Sequence, residues 1–228
     1  MLALLYDVHG NLPALEAVID DAEAAGVEGW VLGGDYALFG GWPAETVERL
    51  RSLERASWIR GNGERWTADP DAAPENAVVP DAIVAARAAL GDATVDDLAS
   101  LPFSLPLDGT LICHGSPLSD VRSFEPEDGG GDEELLDGTE ARRVVFGHTH
   151  LPFARRSSGG VELVNPGSVG MPFDGDPRAA YALLAGDGRI EHRRVEYDHR
   201  AAADRVRGIG EGWSEVVARR IERATMAV

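Results

Sequence analysis

Lysine and glutamine are absent from this 228-residue chain, and cysteine occurs once. Without lysine, all 21 cationic side chains are arginine; they stand against 39 aspartates and glutamates, for a formal net charge of −18. That exceeds the magnitude of about 2 to 8 that suffices to keep a small domain soluble. So acidic a surface repels polyanions, which argues against extended nucleic acid and anionic membranes as partners. It favours a small substrate captured at a locally positive site. The single Cys113 excludes an internal disulfide and a thiolate metal site, so any metal must be held by nitrogen and oxygen. No apolar run approaches the roughly 20 residues that cross a bilayer, and residues 1–15 lack a basic segment ahead of an apolar one. The expected location is the cytoplasm. Length and a 44% hydrophobic content fit one globular domain spanning 1–228.

Short apolar runs alternate with helical periods. Residues 2–6 read as a strand, followed by a helix in which Leu12, Leu15, Val18, Ile19 and Ala22 recur at helical spacing behind Asn11 as N-cap. Further strands are expected at 30–32, 58–60, 111–113 and 144–146, and helices at 45–53 and 80–90. This alternation implies an α/β fold. Beyond residue 150 the pattern turns to strands (153–156, 161–164, 180–184, 190–197), and a helical segment at 212–225 closes the chain. Residues 67–80 and 125–140 read as loops; the second carries eight acids in 16 residues around Gly129, Gly130 and Gly131.

The residues at the end of each apolar run carry the chemistry. The runs end in Asp7-Val8-His9-Gly10, Gly33-Gly34-Asp35, Gly61-Asn62, His114-Gly115 and Gly147-His148-Thr149-His150. In an α/β sheet the C-terminal strand ends share one edge, where ligands bind. Each group alone is weak, since a lone histidine after a strand is usually structural; five in order are not. Imidazole plus carboxylate favours Mn, Fe, Zn, Co or Ni over Ca, and two dications would leave the site positive despite the acidic exterior.

These motifs resemble those of the calcineurin-like metallophosphoesterase superfamily. The run Asn165-Pro166-Gly167-Ser168-Val169-Gly170, with Asp176-Pro177-Arg178-Ala179 and Tyr181, is similar to its small bacterial and archaeal phosphodiesterase branch. The likeness spans residues 2–184, and residues 198–228 add nothing to it. It implies a four-layer α/β/β/α sandwich with a dinuclear site between the sheets. By that pattern Asp7, His9 and His150 hold one divalent cation, Asn62, His114 and His148 the other, and Asp35 lies between. Manganese is the first expectation, with Fe, Zn, Co, Ni or Mg as alternatives.

The resemblance further implies hydrolysis of a phosphodiester or phosphomonoester by a hydroxide bridging two metals, with Asp35, His148 and Asn62 as catalytic residues. Asn11, Tyr36 and Glu64 are candidate substrate contacts, and Phe39, Trp42 and Trp66 candidate pocket walls. Specificity is expected from loops near 36–42, 64–80 and 117–140. Two positions depart from the family pattern. Gly63 stands where many members carry the histidine that protonates the leaving group, and Tyr6 where a small residue often precedes the first aspartate. The first departure supports an alternative, a catalytically weak scaffold binding a protein partner; retention of all seven ligands opposes it.

Overall fold

The computed structural model describes residues 1–210 and 212–228. Two five-stranded sheets lie face to face. In the first, β1 (Leu2–Leu5), β2 (Gly29–Leu32) and β3 (Ala56–Trp58) run parallel. β9 (Ala179–Leu184) joins β1 antiparallel and β10 (Ile190–Val195) joins β9, giving the order β10-β9-β1-β2-β3. The second combines β4 (Ser104–Leu107), β5 (Thr110–Cys113), β6 (Arg143–Val145), β8 (Glu162–Asn165) and β7 (Phe153–Arg156), in that order. Its three central strands β5, β6 and β8 are parallel and its edge strands antiparallel.

The central strands β1 and β2 of the first sheet carry no polar side chain because both their faces are covered. Along β1 the side chains alternate: Ala3 and Leu5 pack with helices, whereas Leu4 and the following Tyr6 face the second sheet. There they meet Val31, Ile59, Ile112, Val145, Val164 and Ala182. The unusual Tyr6 has a structural reason. Its hydroxyl donates to the Val145 carbonyl across the sandwich at 3.1 Å. Its ring lies where a side chain at Gly33 or Gly147 would stand, 2.0 and 2.6 Å from an added Cβ. A large residue at 6 thus requires glycine at both loops.

Helix α1 (Leu12–Ala24) and α2 (Pro43–Arg51) cover the outside of the first sheet through Leu15, Val18, Ile19, Val47 and Leu50. As expected, Asn11 caps α1, its Oδ1 accepting from Ala14 N at 3.3 Å. The outside of the second sheet has a thinner cover, the four-residue α6 (Asp132–Leu135) and its flanks. Here the expectation of a free loop at 125–140 is corrected. Leu135 and Leu136 pack with Phe124 on Cys113, Val144, Phe146 and Leu163, and Asp132 pairs with Arg155. Two adjacent leucines outweigh eight acids.

Residues 67–80 likewise hold the end of α3 (Asn62–Ala68), a 3-10 turn (Pro70–Ala72) and the start of α4 (Val79–Leu90), whose first free amides at Val78 and Val79 are capped by Asn76. β3 sits two residues earlier than expected because Arg60 N leaves the ladder for Pro102 O. β4, α5 (Asp92–Ala99) and α7 (His199–Arg207) have no counterpart in the expected elements; Pro106 in β4 is tolerated because that strand is an edge.

α7 and α8 (Gly212–Arg223) form, with α4, a helical cap over one side of the strand ends. Trp213, Val217 and Ile221 of α8 pack with Val79 and Ile83 of α4 and with Leu38, Phe39 and Met171 from the strand-end loops. The C-terminal segment is therefore part of the core and not an appendage. No helix among the described residues is long and apolar enough to cross a membrane. Trp213 is 1% exposed; Trp213→Ala is expected to cost about 3–5 kcal/mol, read as a lowered denaturant midpoint.

Candidate metal centre

All five strand-end groups come together. Asp7, Asp35 and Asn62 follow β1, β2 and β3, while His114, His148 and His150 follow β5 and β6, so both sheets contribute. Three histidines are oriented alike. His9 Nδ1 lies 2.9 Å from Leu38 O, His114 Nδ1 2.8 Å from Gly33 O, and His150 Nδ1 2.5 Å from Met171 O. A carbonyl only accepts, so each ring carries its proton at Nδ1 and presents the Nε2 lone pair inward.

Those lone pairs meet other acceptors. His9 Nε2 and His150 Nε2 are 3.1 Å apart, and His114 Nε2 is 3.0 Å from Asn62 Oδ1. Asp7 Oδ1 is buried without a hydrogen-bond partner, 3.5 Å from His150 Nε2 and 3.8 Å from His114 Nε2. Asp35 lies 3.5 Å from His114 Nε2 and 3.8 Å from His9 Nε2. Asn62 has two ways to be satisfied: a cation drawing its oxygen, or a turned amide whose nitrogen donates to His148 Nδ1 at 2.8 Å and His114 Nε2 at 3.0 Å. Two groups have ligand atoms within 4.8 Å of one another, Asp7 with His9 and His150, and Asp7 with Asp35 and His114.

Burial and neighbouring charges together set the protonation states. Burial pushes His9 down to about 3, aided by the charge of His150, and His148 down to about 4, aided by that of His114. At Asp7 burial acts upward, but His150, His114 and His9 outweigh it and hold the carboxyl below the usual range. Asp35 is pushed up to about 7 by burial, against the attraction of His114 and with repulsion from Glu64 and Asp7. His114 moves up, since Asp35 and Asp7 overcome its own burial. Neutral His9 and His148 beside the ionised Asp7 are suited to donate to a dication.

The backbone is strained here. Among the described residues nine non-glycines have positive φ, and five are Asp7 (53°), His9 (48°), Asp35 (57°), His148 (66°) and His150 (59°). Such conformations cost about 1–3 kcal/mol each and persist only where the surroundings enforce them. Glu64 is one enforcer: its carboxylate accepts from Gly61 N (2.7 Å), Asp35 N (2.8 Å) and Tyr36 N (2.8 Å). Asn165 is another, with Nδ2 donating to Gly147 O at 3.0 Å and to Thr149 Oγ1 at 2.9 Å, and Ser168 donates to Asp7 O at 2.7 Å. His148 N in turn donates to Asp7 Oδ2 at 3.1 Å.

A cavity of about 430 Å³ opens over His9, Asp35, Asn62, His148 and His150. None of the three candidate substrate contacts lines it. Glu64 is consumed by backbone amides; the Tyr36 hydroxyl lies against Leu32 O and Ile59 O; Asn11 caps α1 and donates to Gly170 O and the Tyr197 hydroxyl. Of the expected walls, Phe39 and Trp66 line the cavity, while Trp42 stacks under Arg205. Residues 117–140 contribute no lining. Unforeseen are Met171, Phe173, whose ring stacks on His150 at 4.4 Å, and Arg220 and Met226. Cys113 is buried with its thiol pushed up, as an inert residue.

Residues 1–188 match the calcineurin-like phosphoesterase superfamily domain. The chain belongs to that superfamily. Membership implies a hydrolase that uses divalent metal cofactors, and the residue groups above are candidates to hold them. The phosphodiesterase YfcE of Escherichia coli is 30% identical over 206 residues, covering 82% of this chain and 89% of its own. An uncharacterized protein of Methanocaldococcus jannaschii is 28% identical over 228 residues, 90% of this chain and 91% of its own. Among solved structures, a metallophosphoesterase from Sphaerobacter thermophilus superposes with a TM-score of 0.84 at 27% identity, covering 98% of both chains. A hypothetical protein of Pyrococcus horikoshii shares the fold at a TM-score of 0.85 and 22% identity over 100% of each chain.

Removing Glu64 leaves three amides unpaired in a buried site, each such bond to a charged group being worth about 1.5–3 kcal/mol. Glu64→Ala is accordingly expected to lose at least about 3 kcal/mol of stability, measurable by urea unfolding.

Proposed function

We propose that this chain hydrolyses a phosphodiester or phosphomonoester with two divalent cations held by Asp7, His9, Asp35, Asn62, His114, His148 and His150, manganese being the first candidate. The observation that carries the reading is the inward convergence of three Nε2 lone pairs and the unpartnered Asp7 Oδ1 beneath an open cavity. A scaffold has no use for so many uncompensated acceptors. The donor set, imidazole with carboxylate and amide oxygen, suits borderline dications. When bound, such cations supply an activated water and positive charge at the phosphoryl oxygens.

The protein's own part is positioning. Backbone carbonyls lock the histidine tautomers, His148 N holds Asp7, and Gly63 N holds Asp35 at 2.6 Å. The rings of Phe39, Trp66 and Phe173 wall the cavity with apolar surface and limit water on that side. No side chain replaces the leaving-group acid at Gly63. An added Cβ there would stand 2.8 Å from Asp35 Oδ1, so a histidine enters only by displacing a proposed ligand. Substitution at 63 is thus a perturbation of the centre and not a restoration.

Chelation is expected to abolish hydrolysis of an activated aryl phosphodiester, and manganese to restore it. Asp35→Ala and His148→Ala should lower the rate by at least about 10³ with the far-UV circular dichroism of the fold retained. Activity within tenfold of wild type would remove these residues from the mechanism. With no positioned acid, whose help is worth about 10² to 10⁴, rates should fall steeply as leaving-group pKa rises across a series of aryl and alkyl esters; a flat series, with chemistry rate-limiting, overturns that expectation.

A further inference from the structure

Arg220 brings a cation to the cavity from outside residues 1–188. On α8 it lies three residues beyond Val217 and next to Ile221, at the margin of the stripe packed on α4, so the helix is fixed while the side chain reaches the cavity wall. Its guanidinium is half-buried and, among the described residues, makes no hydrogen bond or ion pair; Nε is sealed from solvent without an acceptor. Neighbouring arginines behave otherwise: Arg219 pairs with Glu215 at 2.7 Å, and Arg207 with Glu215 and Glu222 at 2.9 and 2.8 Å. In a chain with 39 acids and 21 arginines, an unmatched cation facing the cavity stands out.

A second wall residue has the same deficit. Trp66 Nε1 is buried with no partner. Indole and guanidinium are donors only, so what completes them must bring acceptors, and the planar guanidinium fork matches phosphate or carboxylate oxygens. Phe39, Phe173 and Met171 line the same space with apolar surface. Burial also lowers the Arg220 pKa with no opposing acid, the signature of a charge left uncompensated by the protein itself.

We propose that Arg220 and Trp66 anchor an anionic oxygen of an organic phosphate ester whose aromatic or other apolar body lies against Phe39 and Phe173; this rests on the hydrolase reading of the same cavity. The anionic oxygen belongs either to the phosphoryl group itself or to a second acidic group on the ester.

Calorimetry on the manganese-loaded protein tests this with two unhydrolysable probes, phenylphosphonate and 4-carboxyphenylphosphonate. Arg220→Met is expected to weaken binding about tenfold or more, the worth of a hydrogen bond to a charged group. An equal loss on both probes assigns the anchor to the phosphoryl group; a loss confined to the carboxylated probe assigns it to a second acid. Both support the proposal. Trp66→Phe should weaken binding less, and Arg220→Lys to an intermediate degree; these carry the test if Arg220→Met does not fold. The melting temperature of Arg220→Met without ligand should equal or exceed that of wild type, because an unpaired buried cation is removed. Dissociation constants within twofold of wild type for both probes would overturn the proposal, as would a wild type that binds neither. Hydrolysis of an activated diester, measured on the same preparations, separates the two readings: activity that survives with phosphonate affinity unmoved by Arg220→Met keeps the enzyme and discards the anchor.

Discussion

The arrangement turns on a surplus of acceptors gathered in a buried place. Asp7, His9, Asp35, Asn62, His114 and His150 are each at most 4% exposed, the Nε2 atoms of His9 and His150 meet each other, and Asp7 Oδ1 has no donor. Such a cluster is unfavourable unless something positive is shared among it. The surrounding structure holds it open all the same: carbonyls occupy the outer nitrogens, the Glu64 carboxylate ties three loops, and five residues accept left-handed backbone. Stability given up at the centre is offset by the two-sheet core behind it.

Much of this was legible in the sequence because it was local. An apolar run followed by glycine and a ligand-type residue marks a strand end, and five such runs placed five loops at one edge correctly. What could not be read were contacts between distant segments. Nothing near Asn11, Tyr36 or Glu64 announces that their polar atoms are already engaged by Gly170, Ile59 or the Asp35 amide. Their positions beside the motifs suggest a substrate role, whereas their polar atoms are bonded within the protein. Similarly, Leu135 and Leu136 among eight acids look solvated until Phe146 and Leu163 are seen beneath them. Tyr6 is the reverse case, an irregularity in the sequence whose reason, the space left by Gly33 and Gly147, lies partly beyond 100 residues away.

The cavity draws on two pieces of chain. The proposed ligands are confined to the stretch from Asp7 to His150, inside the family-matched span, whereas Arg220 and Met226 come from beyond it. On the proposed reading, Arg220 adds to recognition elements, Phe39, Trp66 and Phe173, that lie inside that span, and the packing of α8 on α4 holds it in place. The two pieces are mechanically linked, because α8 packs on Leu38, Phe39 and Met171 of the strand-end loops and the Met171 carbonyl meets the His150 ring.

The split of the centre between two sheets also bears on how the molecule comes apart. Asp7 and His150 belong to opposite sheets and are distant in sequence, yet stand 3.5 Å from each other. The site has no existence in either sheet alone, so it is not a locally meltable lid or hairpin. Parting the sandwich would also dismantle the centre, because each sheet holds only part of it.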